Sequence, residues 1–278
     1  MSKKTLLVML LLLIYSMSFA ETNDDSPYKK PAWILDGGLF LGSVGLKGIE
    51  KATEENVKTL SLEQVNNLNS DDINWFDKSA TKQNSKFARE TTGLVTMASF
   101  AVPALLFSTS NVRSDWATYS VMYAETFLLT GALTDVVKNL AQRTRPYVYN
   151  LDVPIEGYDD KDFDDKVNNK DANKSYFSSD VSLAFSLATF TSITFSDYYP
   201  DSKLKPYVLG STMGYACFTA YLRYASGWHF PTDIISAAIV GSSIGWLVPQ
   251  LHKNVNVSIG SFNQQNFDSQ AISFTFRF

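Results

Sequence analysis

The stretch Arg223-Tyr224-Ala225-Ser226-Gly227-Trp228-His229-Phe230-Pro231-Thr232-Asp233 joins two apolar, helix-length segments. Pro231 suits the first turn of a helix, where its missing N–H costs nothing. His229 and Asp233 stand four residues apart, so a carboxylate sits one turn from an imidazole. Such a pairing can hold the ring in one tautomer and make it a better base or nucleophile. Taken alone, the same pattern also fits a histidine at a helix cap. Apolar segments at 205–222 and 232–250 flank this stretch, and another lies at 179–197. Further upstream, apolar runs at 32–49, 93–107 and 116–140 have helical length. The expected fold is mainly α, a bundle of about six helices.

Two other clusters carry chemistry. Lys138-Asn139-Leu140-Ala141-Gln142-Arg143-Thr144-Arg145-Pro146 closes the third apolar segment. Pro146 disfavours helical geometry at Arg145, and Lys138, seven residues earlier, is expected two turns back on the same helix face. Two cations at a helix end suit an anion, or complement the helix's own dipole. Arg143 would join them or face water. Ser175-Tyr176-Phe177-Ser178-Ser179-Asp180 runs straight into an apolar helix. Serines at a helix start offer hydroxyls and free N–H groups to an anion, or simply cap the helix.

The order Lys138-x6-Arg145-Pro146, aromatic-Ser178-Ser179-Asp180, then Arg223-x5-His229-x3-Asp233 resembles the type-2 phosphatidic acid phosphatase superfamily. That superfamily also includes bacterial class A acid phosphatases and vanadium haloperoxidases. The first and third motifs match at every defining position except Leu222, where serine is usual, and the resemblance covers roughly residues 91–250. It implies that Lys138, Arg145 and Arg223 clamp phosphate oxygens, with Ser178 and the backbone near Ser179 completing the cradle. It implies His229 as a nucleophile forming a phosphohistidine and Asp233 as its orienting partner. Fixed cations then stabilise the developing charge, and neither metal nor other cofactor is required. The middle motif departs from the family's Pro-Ser-Gly-His: Asp180 stands where the acid histidine belongs. Aspartate has a reference pKa of about 3.9, and neighbouring cations would lower it, so it is a poor general acid at neutral pH. The readings are therefore a phosphatase acting on a phosphomonoester or pyrophosphate of a small molecule or a lipid, and a phosphate-binding envelope protein that kept the clamp. Vanadate-dependent peroxidase chemistry is disfavoured, because it too benefits from the missing histidine.

Composition narrows the classes. The 278 residues are 45% hydrophobic, with a formal charge of −4. No basic stripe is visible, which argues against a nucleic-acid partner. One cysteine, Cys217, excludes an internal disulfide framework and is expected in the core; two histidines, His229 and His252, exclude a histidine-rich metal site. Residues 1–20 read as a secretory signal: Lys3 and Lys4, an apolar run from Leu6 to Tyr15, then Ser18-Phe19-Ala20. An exported, periplasmic chain is expected, divided into an N-terminal region (21–90), a helical core (91–252) and a C-terminal β-hairpin (253–278). The hairpin rests on alternating Val255, Val257, Ile259 and Ile272, Phe274, Phe276, Phe278. An acidic, Asn-rich insert spans Asp152 to Lys174. Asp36, Lys47, Glu125 and Asp135 interrupt the apolar runs, and mean hydropathy is only −0.08. Those charges favour a soluble or peripherally membrane-attached bundle over one that spans a membrane.

Overall fold

The computed structural model describes residues 26–150 and 170–253. The signal segment, most of the acidic insert and the predicted hairpin lie outside the described residues. Among the described residues, six helices of 14 residues or more form the body: α1 (Trp33–Glu54), α2 (Lys86–Ser99), α3 (Trp116–Ala141), α4 (Ser179–Tyr198), α5 (Lys205–Ala225) and α6 (Pro231–His252). Five of the six fall where apolar periodicity places them; α2 begins seven residues before the expected run at 93–107, and the rest of that run, around Pro103, forms short helical turns. Short helical turns fill the polar stretch between α1 and α2, as its Asn- and Asp-rich composition suggests.

The core lies where α3, α4 and α6 meet. Tyr119 and Met122 of α3, Phe190 and Phe195 of α4, and Ile244 and Val248 of α6 are buried together. Gly241 and Gly245, one turn apart on α6, let it approach α4 closely. A Cβ on either would stand about 2 Å from the carbonyl oxygen of Ser182 or Ser186. Buried hydroxyls rather than large side chains fill much of the remaining seams: Thr134 meets Ser182 at 3.0 Å, and Ser192 meets Thr212 at 2.8 Å. Several such hydroxyls also bond the carbonyl one turn back, which satisfies them inside the bundle.

The interrupting charges have partners. Lys47 of α1 pairs with Asp135 of α3, while Asp36 of α1 and Glu125 of α3 both approach His252 at the end of α6. These charges fasten helix to helix, so they carry less weight against a lipid-facing surface than their presence in the sequence suggests. Large apolar side chains point outward instead. Phe87, Leu94 and Met97 share one face of α2, and Ile235, Ile239 and Trp246 one face of α6. Cys217 is exposed on α5 rather than in the core, because it lies beside outward-facing Phe218. The segment Lys86–Ser108 and helix α6 are long and apolar enough to cross a membrane by length and composition.

Candidate active site

Chain reversals, more than helix faces, assemble the site. Helix α3 stops at Ala141, where Gln142 takes a left-handed conformation (φ 43°). Arg145 therefore lies in extended backbone beyond the helix end (φ −74°, ψ 152°). This corrects the expectation of a shared helical face: Lys138 and Arg145 converge because the chain folds back. The extended geometry at Arg145 is what a following proline favours. Its N–H is held by Ala172 O at 2.9 Å, and Ser175 N–H by Arg143 O at 2.9 Å, which lays residues 170–177 alongside 143–145.

The loop from Arg223 to His229 needs one special residue. Gly227 has φ 72°, a conformation costly for any side chain, and a Cβ there would stand 2.4 Å from Gln83 O. Its carbonyl accepts from Tyr147 N at 3.0 Å. The turn carries the Trp228 ring beneath two guanidiniums, 4.7 Å from Arg145 and 5.0 Å from Arg223. Stacking of this kind limits the freedom of both arginines.

His229 is fully buried, and its two nitrogens face different surroundings. Nδ1 lies 2.7 Å from the carbonyl oxygen of Ser175, a contact that requires the proton on Nδ1. Nε2 then carries the lone pair, 3.2 Å from Arg145 Nη1 and 3.2 Å from Arg223 Nη2. Burial first, then the charges of Arg145, Arg223 and Lys138, hold the imidazole well below its ordinary pKa. A neutral ring with its lone pair aimed between cations can attack an electrophile that those cations bind.

The expected His229–Asp233 hydrogen bond is replaced by a relay. Asp233 Oδ2 stands 3.8 Å from Nδ1, beyond hydrogen-bond range. It accepts instead from Ser175 Oγ at 2.5 Å and from Phe230 N at 2.9 Å. Asp233 thus holds the residue whose carbonyl orients the imidazole, and also the residue next to it. Burial raises the pKa of Asp233, against the opposing pull of Arg143 and the Ser175 and Phe230 hydrogen bonds. Arg143, though partly exposed, turns its guanidinium inward behind the clamp: it bonds Asp233 and Thr232, and meets Asp77 at 2.7 Å.

Asp77 went unrecognised in the sequence, buried in the polar region before α2. It accepts from Thr232 N at 3.0 Å, Thr232 Oγ1 at 2.6 Å and Asn74 Nδ2 at 2.9 Å. Burial opposes its charge, but the bonds from Thr232, Asn74 and Arg143 prevail and hold its pKa below the ordinary value. Asp77→Asn is expected to destabilise the fold by about 1–3 kcal/mol, because one oxygen becomes a donor facing donors. Urea unfolding at pH 7 checks this, with Asp71→Asn as the exposed control.

The clamp itself is mostly buried. Arg145 is anchored by Asp171, with Nη2 to Oδ1 at 2.9 Å and Nε to the carbonyl at 2.8 Å. Arg223 Nε lies 3.0 Å from Asp180 Oδ2 as an ion pair. Lys138 is buried, and desolvation, then Arg145 and Arg223, push its pKa down to about 7. Ser178 occupies the N-cap position of α4, yet its hydroxyl does not cap the helix. That Oγ is buried with no hydrogen-bond partner, so the ordinary capping alternative does not account for it. The first N–H groups of α4 lie beside it, without partners in their own helix. Ser179 follows, lining an apolar cavity of about 280 Å³ with Phe40, Val44, Phe127, Leu128 and Leu183. His252 ends α6, which runs two residues further than expected, and is separated from His229 by the helix's full length.

The structure therefore brings together Lys138, Arg145, Ser178, Asp180, Arg223 and His229, with Asp233 behind the imidazole. No curated protein and no solved structure matches the chain. The model of the PAP2 superfamily matches residues 119–256, a range that holds every one of these side chains. The chain belongs to the PAP2 superfamily, which supports a phosphatase-type hydrolase class for it.

Proposed function

We propose that this chain is an exported, membrane-associated phosphatase that hydrolyses a lipid phosphomonoester or pyrophosphate through a phosphohistidine. The carrying observation is the neutral His229, whose Nε2 lone pair lies 3.2 Å from two arginines. In this reading Lys138, Arg145 and Arg223 bind the phosphoryl oxygens, and Ser178 Oγ with the first N–H groups of α4 completes the cradle. Nε2 attacks phosphorus and the bond to the leaving oxygen breaks, that oxygen taking a proton from water. Water then cleaves the phosphorus–nitrogen bond, releasing phosphate and restoring the imidazole. Charge developing on the phosphoryl oxygens is met by fixed cations, so the step places no demand on a metal in this pocket.

The apolar cavity beside Ser179 supports a lipid substrate, since an acyl or prenyl chain fits among Phe40, Phe127 and Leu183. The outward apolar faces of α2 and α6 support contact with a membrane that supplies it. An alternative, a phosphate-binding protein that turns over slowly or not at all, draws on Asp180, which is engaged with Arg223 and stands where an acid is needed.

Phosphate release by the purified chain from an aryl phosphate, a lipid phosphate and a lipid pyrophosphate, between pH 4 and 9, tests the proposal. Turnover of the lipid substrates supports it; binding of phosphate without turnover of any of the three favours the alternative. The pH profile has a stated sign. Lys138 binds phosphate as a cation, so kcat/KM is expected to fall as pH rises through about 7 and Lys138 loses its proton. Lys138→Arg, always charged, should remove that alkaline limb; persistence of the limb in Lys138→Arg would assign it to another group.

A further inference from the structure

Asp36, Glu125 and His252 meet in the interior where α1, α3 and the end of α6 join, and all three are buried. Helix α6, 22 residues long, separates this cluster from the phosphate site by about 30 Å at 1.5 Å per residue. Nothing in the phosphatase reading uses these side chains.

The hydrogen bonding of His252 sets the chemistry. Nδ1 lies 2.8 Å from Val248 O, so Nδ1 carries a proton and donates it to that carbonyl. In the neutral ring Nε2 is then a lone pair, facing Asp36 Oδ1 at 2.9 Å and Glu125 Oε2 at 3.3 Å. Asp36 has a second anchor, its Oδ2 accepting from Ala32 N. Glu125 has no anchor outside the cluster: its side chain is 2% exposed, and its carboxyl faces only Asp36 and His252. One proton on Nε2 serves Asp36, and Glu125 is then satisfied only by a second proton shared with Asp36. A divalent cation serves all three at once and cancels two carboxylate charges.

The two distances from Nε2, 2.9 and 3.3 Å, fit such an ion, and all three ligand atoms lie within 4.8 Å of one another. Two donors about 2.0–2.1 Å from a shared metal, at tetrahedral to octahedral angles, stand about 2.9–3.4 Å apart. The Nδ1–H bond to a backbone carbonyl is the usual outer support of a metal-binding histidine. We propose that Asp36, Glu125 and His252 bind a zinc-type divalent ion, with water in the fourth coordination position. The imidazole and two carboxylates suit zinc better than magnesium, which prefers oxygen and retained water. The ion would tie α1 and α3 to the end of α6, where the N-terminal segment also attaches through Lys29 N to His252 O at 2.7 Å and the Tyr28–Lys253 bridge.

The untagged full chain is purified without chelator and its metal content measured by mass spectrometry. A second sample is stripped by chelator, then titrated with Zn²⁺ while thermal unfolding is followed. About one tightly held equivalent per chain is expected, with a rise in Tm of about 5 °C or more on adding Zn²⁺ to the stripped protein. Glu125→Gln, close in shape, should weaken Zn²⁺ binding by about tenfold or more and abolish the Tm response. Co²⁺ in place of Zn²⁺ should give visible absorption that His252→Ala removes. If the wild-type chain holds no metal and Zn²⁺ leaves its Tm unmoved, the proposal is overturned and the cluster shares protons instead. Equal Zn²⁺ binding by Glu125→Gln overturns it as well, by placing the metal elsewhere.

Discussion

His229→Gln is expected to reduce phosphate release to background, a loss of about 10⁴-fold or more, while the fold persists. Glutamine retains a polar side chain of similar reach but has no lone-pair nitrogen to attack phosphorus. The clamp does not depend on the imidazole: Arg145 is held by Asp171 and Trp228, and Arg223 by Asp180. Inorganic phosphate should therefore still bind the variant, within about tenfold of wild type. Rapid acid-free quenching with a radiolabelled substrate provides the direct readout. Wild type should trap an acid-labile, base-stable phosphoryl group on the protein, and His229→Gln should trap none. Full turnover by His229→Gln would sink the phosphohistidine mechanism, whatever the clamp binds.

Asp180→His is expected to raise kcat by about 10²–10⁴-fold on alkyl phosphates, whose poor leaving group needs a proton. The same substitution should change turnover of an aryl phosphate far less, because that leaving group departs without one. Asp180 sits in the first turn of α4, two residues after Ser178 and 3.0 Å from Arg223. A histidine there would point toward the same pocket and release Arg223 to the phosphate. The difference between the two substrates separates restored acid catalysis from a mere gain in binding, which would lower KM for both alike. If Asp180→His and wild type have equal kcat on the alkyl phosphate, lack of an acid is not what limits this protein.

How much of this was legible in the residues differs from one feature to the next. Five of the six helices were, because each is an apolar run of helical length bounded by prolines, serines or polar loops, and those are local signals; α2 was not, because its first turns are polar and its helix stops short of Pro103. The Lys138–Arg145 and Arg223–Asp233 motifs were, because proline at 146 and 231 fixes how the chain leaves or enters a helix. The support behind the imidazole was not. Ser175 offers a carbonyl to His229 and a hydroxyl to Asp233, a role that any residue's backbone could half fill. Asp77 lies 155 residues from Thr232 in sequence, inside a polar stretch that reads as surface loop. Arg143 reads first as facing water and second as joining the clamp, since nothing local distinguishes a guanidinium facing Asp233 from one facing water.

The amino-acid sequence alone determined the helical architecture, the family resemblance and the cations that would hold a phosphate, because periodicity, helix boundaries and motif spacing are short-range properties. Tertiary structure decided which charges neutralise one another: Asp233 with Arg143, Asp180 with Arg223, Lys47 with Asp135, and the Asp36, Glu125 and His252 cluster. It also decided that His229 is neutral with its lone pair toward the clamp. Burial and the proximity of groups far apart in the chain set protonation and pairing, and both arise only when distant segments pack together.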